Sequence, residues 1–147
     1  TDLARLDDTN AVPAILERMA AALDAPGLVL WVADAGGTEL VPIAAHGYPA
    51  SVLARMRALP VTSENATTAA FRTGLLQTVS AKGDASGAIA APLMSPSGCL
   101  GVMSAEVRHD GEKQADRLAA AAIVAAQLAT IVGPPAARAG DRSTAAI

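Results

Sequence analysis

Residues Ala88–Val107 read AIAAPLMSPSGCLGVMSAEV, and this stretch decides the fold. Two runs of alternating, mostly apolar residues flank a turn built from Ser95, Pro96, Ser97 and Gly98. Successive side chains of a strand point to opposite faces, so alternation on both sides of a tight turn predicts a β-hairpin. Pro92 in the first run and Gly101 in the second mark places where the strands bend or bulge.

On the C-terminal side, Asp110 and Glu112 open a long Ala-rich helix, where negative charge suits the positive end of the helix dipole. The helix is expected to run to about Val132 and to stop at Gly133-Pro134-Pro135. Residues 134–147 have the composition of a flexible tail.

On the N-terminal side, residues 1–9 read as a lead-in or the end of an upstream helix. Thr9 or Asn10 is expected to cap a helix whose first turn holds Pro13. Val12, Ile15, Leu16, Met19 and Leu23 share one face of it. Leu28–Ala33 is a continuous apolar run and predicts a buried central strand, with Glu39–Ala45 as its hairpin partner. Pro49 opens a short helix that Pro60 stops. Thr62 or Ser63 caps a second short helix, Asn65–Thr73, closed by Gly74. Leu75–Val79 is a strand and Ser80–Gly87 a polar loop. Mixed strands and helices in this order define an α+β domain over residues 10–133.

Composition narrows the function. Of 147 residues, 52% are hydrophobic, which is enough for one core, and only 2% are aromatic. Trp31, Tyr48 and Phe71 are the three aromatic residues, too few for a base-stacking surface. The net charge is −3 and the cations are scattered, so nucleic acid is not an expected partner. The single cysteine, Cys99, forms no internal disulfide, and a cytoplasmic location is the simplest expectation. No apolar run is expected to span a membrane, and none has the form of a signal peptide. A chain that opens on Thr1 is expected to be part of something longer.

Several phrases resemble the GAF domain family, a class of sensory modules. Ala44-Ala45-His46-Gly47-Tyr48-Pro49 is similar to the family's second strand and glycine turn. Ala69–Val79 (AAFRTGLLQTV) resembles its helix–Thr-Gly–strand segment. Ala91-Pro92-Leu93 and Gly98–Met103 (GCLGVM) resemble its last hairpin. The resemblance covers roughly Val12 to Val132. It implies a profilin/PAS-like fold: a central, mostly antiparallel sheet, the terminal helices on one face, short helices on the other. It also implies a ligand cavity on the second face, near Trp31, His46, Phe71 and Met94, with Glu64, Asn65, Thr67 and Thr68 at a polar rim. One departure bears on that cavity: Ser80–Gly87 is short where family members carry a longer roofing excursion. The signature of the cyclic-nucleotide subgroup is also missing.

Candidate chemistry is sparse. Cys99 is either a redox-sensing or tetrapyrrole-bearing thiol, or a small buried hydrophobe; no cation lies near it in sequence. His46 is either a haem or anion ligand, or a partner for local backbone groups at a glycine turn. Residues 62–68 form either an anion-binding helix start or ordinary caps. His109 reads as solvated. No catalytic set and no metal site are expected, and no cofactor can be named. The last helix carries two apolar stripes. Leu118, Ala121, Ala122, Ala125, Leu128 and Val132 form one, and Ala120, Ile123, Val124, Gln127 and Ile131 the other. One stripe suffices to cover a sheet, so a homodimer through the terminal helices is a candidate partnership beside a small-molecule effector. The expected function is a non-catalytic sensory or regulatory domain. A degenerate-pocket interaction module and a Cys99 redox sensor are the alternatives.

Overall fold

The computed structural model describes residues 2–132. Its elements are helix α1 (Asp2–Leu23), strands β1 (Gly27–Ala33) and β2 (Glu39–His46), helix α2 (Ala50–Arg55) and strand β3 (Leu59–Pro60). Helix α3 (Ala66–Thr73), strands β4 (Gln77–Val79), β5 (Gly87–Ser95) and β6 (Gly98–Val107), and helix α4 (Ala115–Val132) follow. The six strands form one sheet in the order β3-β2-β1-β6-β5-β4, every neighbour antiparallel.

Alternation along the central strands builds two cores. Leu28 and Leu30 of β1 join Ile89, Ala91 and Leu93 of β5 and Met103 and Ala105 of β6 on one face, covered by α1 and α4. Leu16, Met19 and Leu23 of α1 and Ala121, Ala125 and Leu128 of α4 supply the helical side of that layer. Each leucine taken fully out of water there contributes about 1.5–3 kcal/mol. On the opposite face, Val29 and Trp31 of β1 meet Ala90, Val102 and Ala70, the last from α3. The α+β class and the division of helices between faces agree with the expectation from sequence.

The β5–β6 hairpin forms as read, with a bulge. Leu93 pairs with Gly101 and Met94 with Cys99, leaving Leu100 as the extra residue. A Cβ at Gly101 would collide with the carbonyl oxygen of Trp31, so only glycine lets the bulged strand approach β1. At Gly47, φ is +86° and a Cβ would fall on the carbonyl oxygen of Pro26.

Five local readings change. Helix α1 runs through Pro13 from Asp2, so Thr9 and Asn10 lie inside it and not at its start. Proline's fixed φ is itself helical, so it forfeits one backbone hydrogen bond without ending the helix. Helix α2 stops at Arg55, and Leu59-Pro60 becomes a sixth, edge strand paired with Glu39 and Leu40, a position that tolerates proline. The cap of α3 is Asn65, not Thr62 or Ser63. Asp110 and Glu112 precede α4: Asp110 is left-handed at φ 56°, and Glu112 lies in a 3₁₀ turn, Gly111–Lys113. Lastly, α4 is long and apolar enough to cross a membrane by length and composition, contrary to the sequence expectation. Here it lies on the sheet with Ala121, Ala125, Leu128 and Ala129 buried. The Gly133-Pro134-Pro135 stop and the tail expected at 134–147 lie outside the described residues.

Candidate functional site

The face opposite the terminal helices is occupied by the protein's own side chains. Trp31 is 8% exposed, and its indole Nε1 donates to Ser104 Oγ at 2.9 Å. Phe71 of α3 packs against the same cluster, beside Ala70 and Val102. Trp31 and Phe71 are therefore brought together. His46 and Met94 are not with them. His46 lies opposite Leu28 at one end of the sheet, and Met94 opposite Cys99 at the other. Counted along β6, where Ala105 faces Leu28, that is about 20 Å of strand at ~3.3 Å per residue.

The polar residues at the start of α3 are engaged in holding the chain. Asn65 Oδ1 accepts from the backbone N–H of Thr68 at 2.9 Å, and Thr68 Oγ1 accepts from the Asn65 N–H at 3.4 Å, a reciprocal capping box. Thr68 is fully buried and donates to the Ser63 carbonyl at 2.5 Å. Arg72 reaches back to the carbonyls of Val61 and Ser63. Glu64 is exposed and Thr67 half-buried on the same turn.

Cys99 is half-buried, and its thiol donates to the Gly101 carbonyl at 3.2 Å. Burial pushes the thiol above its ordinary range, opposed by backbone hydrogen bonds at Gly101 and Leu93. A thiol held protonated is a poor nucleophile. His109 is exposed but not free: its Nδ1 lies 2.6 Å from Asp24 Oδ2. The hydrogen bond to His109 is the main reason the Asp24 carboxyl is held below its ordinary range. Among the described residues, no group of three His, Cys, Asp or Glu side chains is placed to hold a metal ion.

Two surface depressions stand out. One, of about 300 Å³, is lined by the β4–β5 loop (Ala81, Asp84, Ala85, Ser86, Gly87) and by Val107–Asp110. Behind its wall lies Glu112, 4% exposed. Glu112 Oε2 accepts from the Ala81 N–H at 3.2 Å, and Oε1 is buried with no hydrogen-bond partner. The sequence reading placed Glu112 at a helix start for its charge and gave no sign of its burial, which depends on the missing side chain at Gly87, where the carboxylate fills the space a Cβ would take.

The other depression, of about 270 Å³, is apolar. Gly74, Leu75 and Leu76 form one wall, Ala122 and Ala126 of α4 the other, with Pro92 and Met94 of β5 between them. It adjoins a stretch of α4 that faces outward. From Leu118 to Val132 the helix carries no charged residue, yet Ile123 is 61% exposed and Ala119, Ala122 and Ala126 are exposed beside it. Of the second stripe read from sequence, Ala120 and Val124 pack on the shared core, while Ile123 and Gln127 point away from it.

Residues 11–132 match the family model described as GAF domain. No curated protein matches the chain. Among solved structures, the chain is similar to the second GAF domain of DevS from Mycobacterium smegmatis, at 25% identity over 92% of this chain and 99% of that one, with a TM-score of 0.68. It is also similar to the GAF domain of a phosphoenolpyruvate-protein phosphotransferase from Coxiella burnetii: 16% identity, 98% and 94% coverage, TM-score 0.70. A third similar structure is the free methionine-R-sulfoxide reductase of Neisseria meningitidis, at 18% identity, 85% and 77% coverage, TM-score 0.66. The last two likenesses lie in the fold.

Proposed function

The chain belongs to the GAF domain family, a family of regulatory and sensory modules in signalling proteins, and on that premise we propose that it is a non-catalytic module that works by self-association through α1 and α4. One observation carries the reading: α4 is free of charge over Leu118–Val132 and leaves Ile123 in water. A contiguous apolar surface of that kind marks an interaction site more often than a bare exterior. The filling of the opposite face by Trp31, Phe71, Ala70 and Val102 supports an interaction role over a deep ligand pocket.

Non-catalytic action fits the state of Cys99, whose thiol burial holds protonated. A redox role would need the reverse. A single cysteine, which can form no internal disulfide, suits a reducing compartment such as the cytoplasm.

Sedimentation equilibrium across a concentration series tests the reading. A dimer that Ile123→Glu converts to a folded monomer is expected. A parent protein that stays monomeric at high concentration overturns it.

A small-molecule effector is the second reading, favoured by the depression beside the β4–β5 loop with Glu112 behind it. Native mass spectrometry of the freshly purified protein checks it: a retained non-covalent mass supports an effector, and a bare polypeptide mass opposes one.

A further inference from the structure

We infer that the apolar groove between α4 and the α3–β4 connection is the seat for Ile123 of a second copy of this chain. The inference rests on the self-association reading and adds to it the seat and its geometry.

The groove lies where β5 loses its neighbour. Strand β4 pairs with β5 only at Ala88, Ile89 and Ala90, so Ala91–Ser95 has no strand on its outer side. An open edge of this sort can accept an added strand. Pro92 sits near the start of it and brings no N–H, which disfavours strand addition and leaves side-chain insertion. The walls suit that. Ala122 and Ala126 are one helical turn apart and let another helix come close, while Leu75 and Met94, 65% and 45% exposed, stand above the floor as adaptable apolar rims.

The occupant follows from symmetry and charge. Ile123 projects from α4 next to Ala122, so the protruding residue and the groove belong to one patch. Under a two-fold axis, a patch carrying both knob and hole complements itself: Ile123 enters the partner's groove as the partner's Ile123 enters this one. No charged residue lies on α4 between Leu118 and Val132, so the two-fold operation opposes no like charges along the helix. The uncharged stretch Leu118–Val132 runs about 22 Å at ~1.5 Å per residue, and with Leu75 and Met94 exposed beside it the patch extends across the groove as well as along the helix. A lipid surface is the competing occupant, since the same helix is apolar enough to meet a bilayer.

The experiment mixes two full-length variants, each carrying Cys99→Ser: one with Met94→Cys, the other with Ile123→Cys. A short bismaleimide is added, and light scattering is recorded in parallel. The expected result is a dimer in which the Met94→Cys and Ile123→Cys chains cross-link to each other, far above the yield of Met94→Cys alone. Ala126→Trp, which fills the groove, should weaken association roughly a hundredfold, as loss of a central anchor does, with the melting temperature nearly unchanged. A dimer that does not cross-link between these positions, or that Ala126→Trp leaves intact, overturns the seat and leaves the self-association reading standing. A monomer at all concentrations overturns both. A monomer that also co-sediments with phosphatidylcholine–phosphatidylglycerol vesicles, and loses that binding on Ile123→Glu, assigns the patch to lipid.

Discussion

The carboxylate of Glu112 rests against the Cα of Gly87, in the space that any Cβ at that position would take. The contact joins the turn before α4 to the first residue of β5, and Glu112 Oε2 fastens the β4–β5 loop at Ala81. Gly87→Ala should destabilise the domain by about 1–3 kcal/mol, the usual range for overfilling a packed site. In a Glu112→Ala background the same change should cost much less, because the obstruction is gone. Urea denaturation of the four proteins of this cycle gives the coupling. Equal costs in both backgrounds would show that Gly87 is required for its backbone and not for Glu112.

Ser104→Ala should strand the indole N–H of Trp31 in the core. A buried donor without an acceptor costs about 1–3 kcal/mol. Trp31 is the single tryptophan, so its fluorescence reports both the loss in unfolding midpoint and the altered surroundings of the ring. Ser104→Thr, which keeps a hydroxyl, should recover much of the loss; equal losses from both variants would remove the hydrogen bond as the cause.

Alkaline pH should weaken the fold through Tyr48. Its phenol is pushed up to about 12, first by burial and then by its hydrogen bond to Glu106 Oε1 at 3.0 Å. Between pH 10 and 12 the unfolded chain loses this proton while the folded one keeps it. The folded state then binds more protons, so stability falls as pH rises through that window. Tyr48 is the single tyrosine, so ultraviolet absorbance follows it directly. Its native midpoint should drop on Glu106→Gln, and Tyr48→Phe should flatten the loss of stability above pH 10. A native midpoint at the ordinary tyrosine value contradicts the assignment.

Cys99 should react slowly. With its thiol pushed up by burial, a disulfide reagent at neutral pH should label the native protein far more slowly than the urea-unfolded chain. Comparable rates in the two states would reopen the redox reading.

The hairpin Ala88–Val107 was legible in sequence because alternation and a Ser-Pro-Ser-Gly turn are local signals, and the bulge followed from Gly101. The α+β class was legible from the order of elements, and the placing of helices on both faces of the sheet from the family resemblance. What escaped was non-local. Leu59-Pro60 carries no strand signal of its own and becomes one only by lying beside Glu39 and Leu40. The burial of Glu112 depends on Gly87 and Ala81, 25 and 31 residues upstream. The family resemblance implied that His46 and Met94 share a cavity with Trp31. The register of the strands carries them to opposite ends of the sheet. The second stripe of α4 was visible, but only the structure divides it between Ala120 and Val124, which face the core, and Ile123, which does not.

Arg117 at the start of α4 donates to the carbonyl of Leu23 at the end of α1, 2.6 Å away. Helices α1 and α4 also pack on one another, so this bond fastens the last turn of one to the first turn of the other, and neither can shift along the sheet without carrying its neighbour.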